Sequence, residues 1–490
     1  MTRRPALTLA VIAAVLTLAQ HWPALQVQFW VDEFSELRPW TRAEIWQALT
    51  GPWDPSGASE PYYRPLASLY YAASFEFFGF HPAPLHAISL ALTAIAAWLL
   101  GLFGWRESGR PVIGIAATVL FILHPALVDA ALAPTKLHPS LIGCVITAAS
   151  LLLWQQRRTR RAVAWWPIWA VVLLYAGFKE DAVMIAPALV ALQWVHARWW
   201  NGPRVRAGVV VMAGVLPVAV TAARMLIVPT EGLSLTFESL VREGLYGPYH
   251  TMMKVLITAP IHTQFVVHWP SSVVVSLLTA AAIIGLLRRP DDQASKIFVS
   301  GIVLMAILGA PLALISGPTR VHLVVFAAAL ALAGAAGQLW QWTATTWPRT
   351  VVTAVACLAL ASGSRQNLEA FAPCSPLEPE GITATLTLPS LSSDLRSFLA
   401  HRDRACEVGD SRTPLDAAGL LRWPSADRTV VLVSKHAVPG RLTVTHADGR
   451  VAHVELPRQP AWRRWLLGGD RVVIEHPDGP VAVTQTTQRP

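Results

Sequence analysis

Apolar residues in this chain form long, nearly uninterrupted stretches, most of them about the length needed to cross a bilayer. The first runs from Pro5 to about Ala24, and others lie near 83–104, 110–124, 139–155, 163–178, 181–197, 207–228, 271–288, 296–315, 321–342 and 349–363. About 20 apolar residues span the roughly 30 Å hydrocarbon layer as a helix, so the pattern predicts eleven crossings. Two further stretches, 65–80 and 251–268, are aromatic-rich and interrupted by Pro, Glu or His. These suit helices lying on the outer membrane surface. Met1-Thr2-Arg3-Arg4 precedes the first stretch. That stretch is long for a signal peptide and lacks a small-x-small cleavage site after it, which predicts an uncleaved first helix.

The pattern changes near Ala361. Residues 364–490 are polar and Pro-rich, and apolar positions alternate in Thr429–Ser434, Arg441–Thr445, Val451–Leu456 and Arg471–Glu475. Asp448-Gly449 and Asp478-Gly479 are hairpin-turn signals. The expected architecture is an all-α polytopic bundle of about 11 transmembrane helices over residues 1–363, with outer-face loop helices at about 26–82 and 229–270. An extended linker and a small β-rich domain would follow over 364–490. No internal repeat of fixed period is visible.

Composition agrees with a membrane protein: 53% of the 490 residues are hydrophobic and 14% charged, against about 25% charged in soluble domains. Mean hydropathy is +0.44. The net charge of +9 does not point to nucleic acid, because no Lys/Arg stripe with interleaved aromatics is present. The cations instead form short clusters, among them Arg157-Arg158, Arg204 with Arg206, and Arg288-Arg289. The clusters fall between alternate pairs of spans, where positive loops mark the cytoplasmic side. With the two surface stretches left uncrossed, this gives eleven crossings with the N-terminus cytoplasmic and the C-terminal domain outside. High Arg, Ala and Pro usage suits a bacterium of GC-rich genome, for which the membrane would be the inner one and the outer side the periplasm. Many of the 21 Trp residues lie near span ends, as in an interfacial aromatic belt. Cys144 and Cys357 fall inside spans as packing residues. Cys374 and Cys406 lie in the tail, where an oxidising compartment would permit a disulfide that the sequence leaves open.

The cytoplasmic loops hold almost nothing else titratable but an Asp291-Asp292 pair, whereas a second set of titratable residues maps to the outer ends of the spans or the outer loops. They include Asp32, Glu33, Glu60, Arg64, His124, Asp129, Lys136, His138, Lys179, Glu180, Asp181, His262, His268, Arg320 and His322. Carboxylates at the mouth of a lipid-embedded bundle are expensive unless they serve a function. In Phe29-Trp30-Val31-Asp32-Glu33-Phe34 the aromatic neighbours would partly desolvate a carboxylate and raise its pKa towards that of a general base. The plainer account is a solvated start to a loop. Arg64, in Tyr62-Tyr63-Arg64-Pro65-Leu66, has a planar fork suited to phosphate or to an acidic partner, or anchors a helix end at the headgroups. Phe178-Lys179-Glu180-Asp181 joins two spans with almost no loop. It reads either as a hairpin tip or as a lysine poised for a phosphate or a sugar hydroxyl. Arg320, in Pro318-Thr319-Arg320, would be a second anion ligand.

In order, these motifs are Asp32-Glu33, Tyr63-Arg64-Pro65-Leu66, Gly79-x-x-Pro82-x-x-x-His86, Leu123-His124-Pro125 and Lys179-Glu180. Together they resemble the glycosyltransferase C superfamily. They look closest to transmembrane-and-TPR O-mannosyltransferases and their bacterial relatives, and more distantly similar to protein O-mannosyltransferases, whose first outer loop also carries Asp-Glu. The resemblance covers about residues 25–200, and Arg320. The chain departs from the pattern at Ser89, where Asn is expected, at Asp129 in place of Glu, and at Lys136-Leu137-His138-Pro139 in place of a Gly-Arg-x-Asp stretch. No TPR array follows.

The resemblance implies a hexosyl- or pentosyltransferase using a sugar on a polyprenyl phosphate, with a protein, glycan or lipid acceptor. Asp32 would take the proton from the acceptor hydroxyl as it attacks the anomeric carbon, with inversion, and Glu33 would orient Asp32 or the acceptor. Arg64, Lys179 and Arg320 would bind the departing phosphate, with His86, His124 and Glu180 in support. No cofactor is firmly implied. A divalent metal would find hard oxygen ligands in Asp32, Glu33 and Asp181, but the available Arg and Lys charges favour a reaction without an obligatory one. A transporter or flippase for a lipid-linked sugar is the alternative. It would be marked by charges near the bilayer midplane, broken helices and a pseudo-repeat; few mid-span charges and no repeat are seen. A scaffold protein would not need these groups on one face.

Overall fold

The computed structural model describes residues 3–26, 40, 42–52, 63–78, 82–127, 134–160, 165–227, 269–309, 322–342 and 346–371, with seven strand segments between 385 and 487. Its helices are α1 (Arg3–His21), α2 (Arg42–Thr50), α3 (Pro65–Phe78), α4 (Pro82–Ser108), α5 (Pro111–Leu123), α6 (Pro134–Arg160), α7 (Trp166–Ala176), α8 (Ile185–Trp199), α9 (Ala207–Ile227), α10 (Trp269–Arg288), α11 (Gln293–Gly309), α12 (His322–Trp342) and α13 (Thr346–Phe371). Short 3-10 turns occupy Trp22–Gln26, Pro125–Leu127 and Glu180–Met184. Internal contacts divide the chain into two units. One comprises Met1–Trp22, Ile88–Leu132 and Leu137–Ala370; the other comprises Pro23–Ala87, Ala133–Lys136 and Phe371–Pro490.

Among the described residues six helical segments are long and apolar enough to cross a membrane: Pro5–Leu25, Ala83–Ser108, His138–Thr159, Ala207–Arg224, Pro270–Arg288 and His322–Trp342. The protein is thus a polytopic helical membrane protein. The apolar helices α5, α7 and α11 are shorter. At 1.5 Å per residue, the 13 residues of α5 and 11 of α7 reach only about 20 and 17 Å. Prolines and glycine set these limits. Pro111 opens α5 and His124-Pro125 closes it, while Pro167 opens α7 and Gly177 follows its last turn.

Within the first unit α12 is the central helix, buried along nearly its whole length and packed against α5, α10 and α11. Glycines let α11 and α12 approach backbone to backbone. A Cβ on Gly301 would lie 2.3 Å from the Ala331 nitrogen, and one on Gly334 would lie 2.6 Å from the Phe298 nitrogen. Close approach of this kind drives helix association in lipid, where burial of apolar surface gains nothing over the acyl chains. The outer helices show the complementary sign. Leu7, Val11, Val15 and Leu18 of α1 are exposed, at three- and four-residue spacing, as are Val351, Val352, Val355 and Leu358 of α13. Such stripes suit contact with lipid.

Side chains also stitch the first and last helices into the unit. Gln20 donates to the Ala361 carbonyl at 3.1 Å, Trp98 to the Ala6 carbonyl at 2.9 Å, and the His21 ring lies 3.2 Å from the Ile122 carbonyl.

The basic end of this unit is fastened by two ion-pair networks. Asp292 caps α11, accepting from the Ala294 N–H at 2.8 Å. It also takes both guanidinium nitrogens of Arg110, at 3.1 and 2.8 Å, and the Gln341 amide at 3.2 Å. Burial pushes the Asp292 carboxyl up, but the bonds from Arg110, Ala294 and Gln341, with the Arg110 charge, outweigh it and hold the carboxyl below its usual range. Arg158 pairs with buried Glu107, which also accepts from Gln155 at 2.8 Å. Arg158 binds His196 as well and stacks over Trp154, its guanidinium carbon 4.9 Å from the ring centre.

In the second unit α2 and α3 pack together, and the Tyr63 hydroxyl donates to the Leu49 carbonyl at 3.0 Å. The 14 residues of α3 extend about 21 Å. Strands β1 (Thr385–Thr387), β2 (Leu420–Pro424), β3 (Thr429–Ser434), β4 (Gly440–His446), β5 (Val451–Leu456), β6 (Asp470–Glu475) and β7 (Val481–Thr487) pair antiparallel in two sheets, ordered β1-β7-β4-β5 and β2-β3-β6.

Candidate functional site

At the end of the first unit away from the basic clusters, polar side chains converge in an apolar bundle. The local chain break between α7 and α8 begins the arrangement. After Gly177 the helix stops, with the Phe178 and Lys179 N–H groups closing on the Tyr175 carbonyl at 2.8 and 3.0 Å. Lys179 is extended, φ −154° and ψ 147°, and the 3-10 turn Glu180–Met184 follows at once. That extended residue turns the lysine inward, where it is only 5% exposed.

A buried ammonium needs hydrogen bonds and a counterion, and Lys179 has both. Its Nζ donates to the Ser140 hydroxyl on α6, and Asp181 Oδ2 lies 3.6 Å away. The other Asp181 oxygen, Oδ1, accepts from the Tyr175 hydroxyl at 2.7 Å. Room for that hydroxyl comes from Gly143, one turn beyond Ser140: a Cβ there would lie 2.1 Å from the Tyr175 oxygen. The first turns of α6 also carry His138, fully buried, whose Nε2 is hydrogen-bonded to Ser89 Oγ of α4 at 2.8 Å. The ring tautomer decides which of the two donates.

Two further buried histidines flank the same end. His124 ends α5 in extended conformation, its carbonyl accepting from the Leu127 N–H at 2.9 Å. His322 opens α12. Each lies about one turn beyond the Phe121–Phe326 ring pair, which meets edge to face at 5.8 Å between centres.

No protein-family model matches this chain, and no curated protein does.

The structure treats the sequence-derived candidates differently. Lys179 is brought together with Asp181, Ser140 and Tyr175, and His124 is buried at the same end. Glu180 contributes the first residue of the 3-10 turn. In the second unit, His86 is fully buried near the start of α4. Arg64 is half-buried, and its carbonyl accepts from the Ala67 and Ser68 N–H groups at 3.0 and 3.1 Å, opening α3. Asp32, Glu33 and Arg320 lie outside the described residues, as do Glu60, Asp129, His262, His268, Cys374 and Cys406. Among the described residues no group of three His, Cys, Asp or Glu side chains is gathered to hold a metal ion.

Ser140 and Tyr175 were not among the candidates. A lone tyrosine in the apolar run 168–178, four residues before a lysine, is the signal that would have found the second. Chemically, the cluster offers a desolvated cation beside a carboxylate whose far oxygen is fixed by a phenol.

Proposed function

We propose that the protein is an integral membrane glycosyltransferase of glycosyltransferase C type. It would move a hexose or pentose from a polyprenyl-phosphate donor to a hydroxyl on a protein, glycan or lipid acceptor. The observation that carries this reading is Lys179, a buried ammonium held by Ser140 and Asp181 at the end opposite the basic clusters. A positive group in so apolar a setting attracts phosphate far more strongly than one in water. The sequence motifs supply the rest. Asp32 takes the acceptor's proton while the acceptor oxygen forms its bond to the anomeric carbon. The bond from that carbon to the phosphate oxygen breaks, polyprenyl phosphate leaves, and configuration inverts. Glu33 orients the acceptor or Asp32. On the motif reading Arg64, Lys179 and Arg320 stabilise the charge that grows on the leaving phosphate, with His86, His124 and Glu180 in supporting roles.

In this reading the bundle crosses the bacterial inner membrane eleven times with the N-terminus in the cytoplasm, so that transfer occurs on the periplasmic face. The residues beyond α13 form a β-rich domain on that side.

Sugar transfer from radiolabelled polyprenyl-phosphate sugars, with purified wild type beside Asp32→Asn, tests the proposal. A general base contributes 10²–10⁴-fold, so the variant is expected to lose at least about a hundredfold in turnover at unchanged protein amount. Equal transfer by both would move the base elsewhere, with Glu33 next. Donor binding without any turnover would favour the flippase alternative.

A further inference from the structure

A carboxylate beside an anion-binding lysine presents a physical difficulty, because it competes with the phosphate for the same ammonium. The geometry around Lys179 meets this difficulty. A charge-assisted contact between ammonium and carboxylate closes to about 2.7–2.9 Å when nothing restrains it. Here Asp181 Oδ2 stays 3.6 Å from Lys179, while Oδ1 accepts a 2.7 Å bond from the Tyr175 hydroxyl. The lysine's closer bond goes to a neutral hydroxyl, Ser140. The Tyr175 hydroxyl can occupy its place only because residue 143 has no side chain: a Cβ would stand 2.1 Å from the phenol oxygen and 2.3 Å from the carbon bearing it.

We propose that Tyr175, admitted by Gly143, is a positioning residue that holds Asp181 at a distance from Lys179, so that the carboxylate does not close on the ammonium and occupy the place of an incoming phosphate. The inference rests on the reading of Lys179 as a phosphate ligand and adds the device that makes such a lysine usable. Asp181 is then a tethered counterion, and Tyr175 acts through it without touching the substrate.

The test is equilibrium binding of farnesyl phosphate, with farnesol as the uncharged control, to the full-length protein in nanodiscs. Wild type is expected to bind the phosphate more tightly than the alcohol. Tyr175→Phe keeps the ring and removes the tether, freeing Asp181 to close on Lys179. Affinity for farnesyl phosphate should fall about tenfold, the effect of one hydrogen bond to a charged group, while affinity for farnesol stays constant. The double variant Tyr175→Phe/Asp181→Asn should recover most of that loss, because a neutral amide competes with phosphate for the ammonium far more weakly than a carboxylate does. A merely structural role for Tyr175 would give no such recovery. Gly143→Ala, which pushes on the phenol oxygen, should mimic Tyr175→Phe; if it fails to fold, the tyrosine variants decide alone. Tyr175→Phe binding the phosphate as wild type does, or a double variant no better than the single, would overturn the positioning role and leave the glycosyltransferase reading untouched. Equal wild-type affinity for farnesol and farnesyl phosphate would remove Lys179 as a phosphate ligand and both proposals with it.

Discussion

Single residues show how this protein manages charge in an apolar setting. Asp292 is the clearest case at the basic end. Its carboxyl is held below its usual range by Arg110, Ala294 and Gln341, whereas in an unfolded chain an aspartate titrates near 3.9. A folded-state value below the unfolded one contributes stability that is fully present above the unfolded value and is lost as pH falls through the folded one. The thermal midpoint of purified protein, followed from pH 7 downwards, should therefore drop on the acid side, and Asp292→Asn should flatten that drop. Identical acid profiles would show that Asp292 is not responsible. Lys179 illustrates what a sequence does and does not disclose about a residue. Its charge between two apolar runs is conspicuous, and so is Asp181 two positions on. Ser140 lies 39 positions away, a neutral residue in the first turns of a helix. A serine in such a turn has many ordinary uses, so nothing local marks Ser140 as a partner. Gly143 is equally silent, because its role is to be absent where the Tyr175 oxygen sits.

Helices are joined here by polar ties as well as by small-residue contacts. Glu107 of α4 accepts from Arg158 and Gln155 of α6, and Arg158 continues to His196 of α8. Removing one partner of a buried ion pair leaves the other uncompensated, at about 3–5 kcal/mol. Glu107→Ala should accordingly lower stability in detergent by about 3 kcal/mol, and Glu107→Gln, which keeps a hydrogen-bond acceptor, by less. Unfolding monitored by tryptophan fluorescence would check both, and equal stabilities for all three proteins would refute the tie. The apolar stretches that became α1, α4, α6, α9, α10 and α12 are readable because roughly twenty apolar residues in a row have few other uses. Stretches near 110–124 and 163–178 were equally visible, but their helices are cut to 13 and 11 residues by flanking prolines and by Gly177. Hydropathy averages across such breakers and overstates the length.

For the whole molecule, the alternation of basic clusters between apolar stretches was the feature most open to reading, since loops carry their sign in the sequence. It also yields a direct expectation about sidedness. In a background with Cys144, Cys357, Cys374 and Cys406 replaced by Ser, Arg204→Cys should resist a membrane-impermeant thiol reagent in intact spheroplasts and react after lysis. Ala447→Cys should react in both. The reverse pattern would invert the proposed orientation. Contacts that join distant parts of the chain were not legible, because no local pattern encodes a hydrogen bond between residues 20 and 361. That bond has a consequence for biosynthesis. A membrane protein is released from the ribosome in sequence order, so α1 enters the bilayer long before α13 has been translated. Until then the Gln20 amide cannot reach the Ala361 carbonyl. The first helix must wait in lipid with that polar group provisionally satisfied, and a nascent chain that stops short of α13 would leave it so, open to chaperones and to membrane proteases.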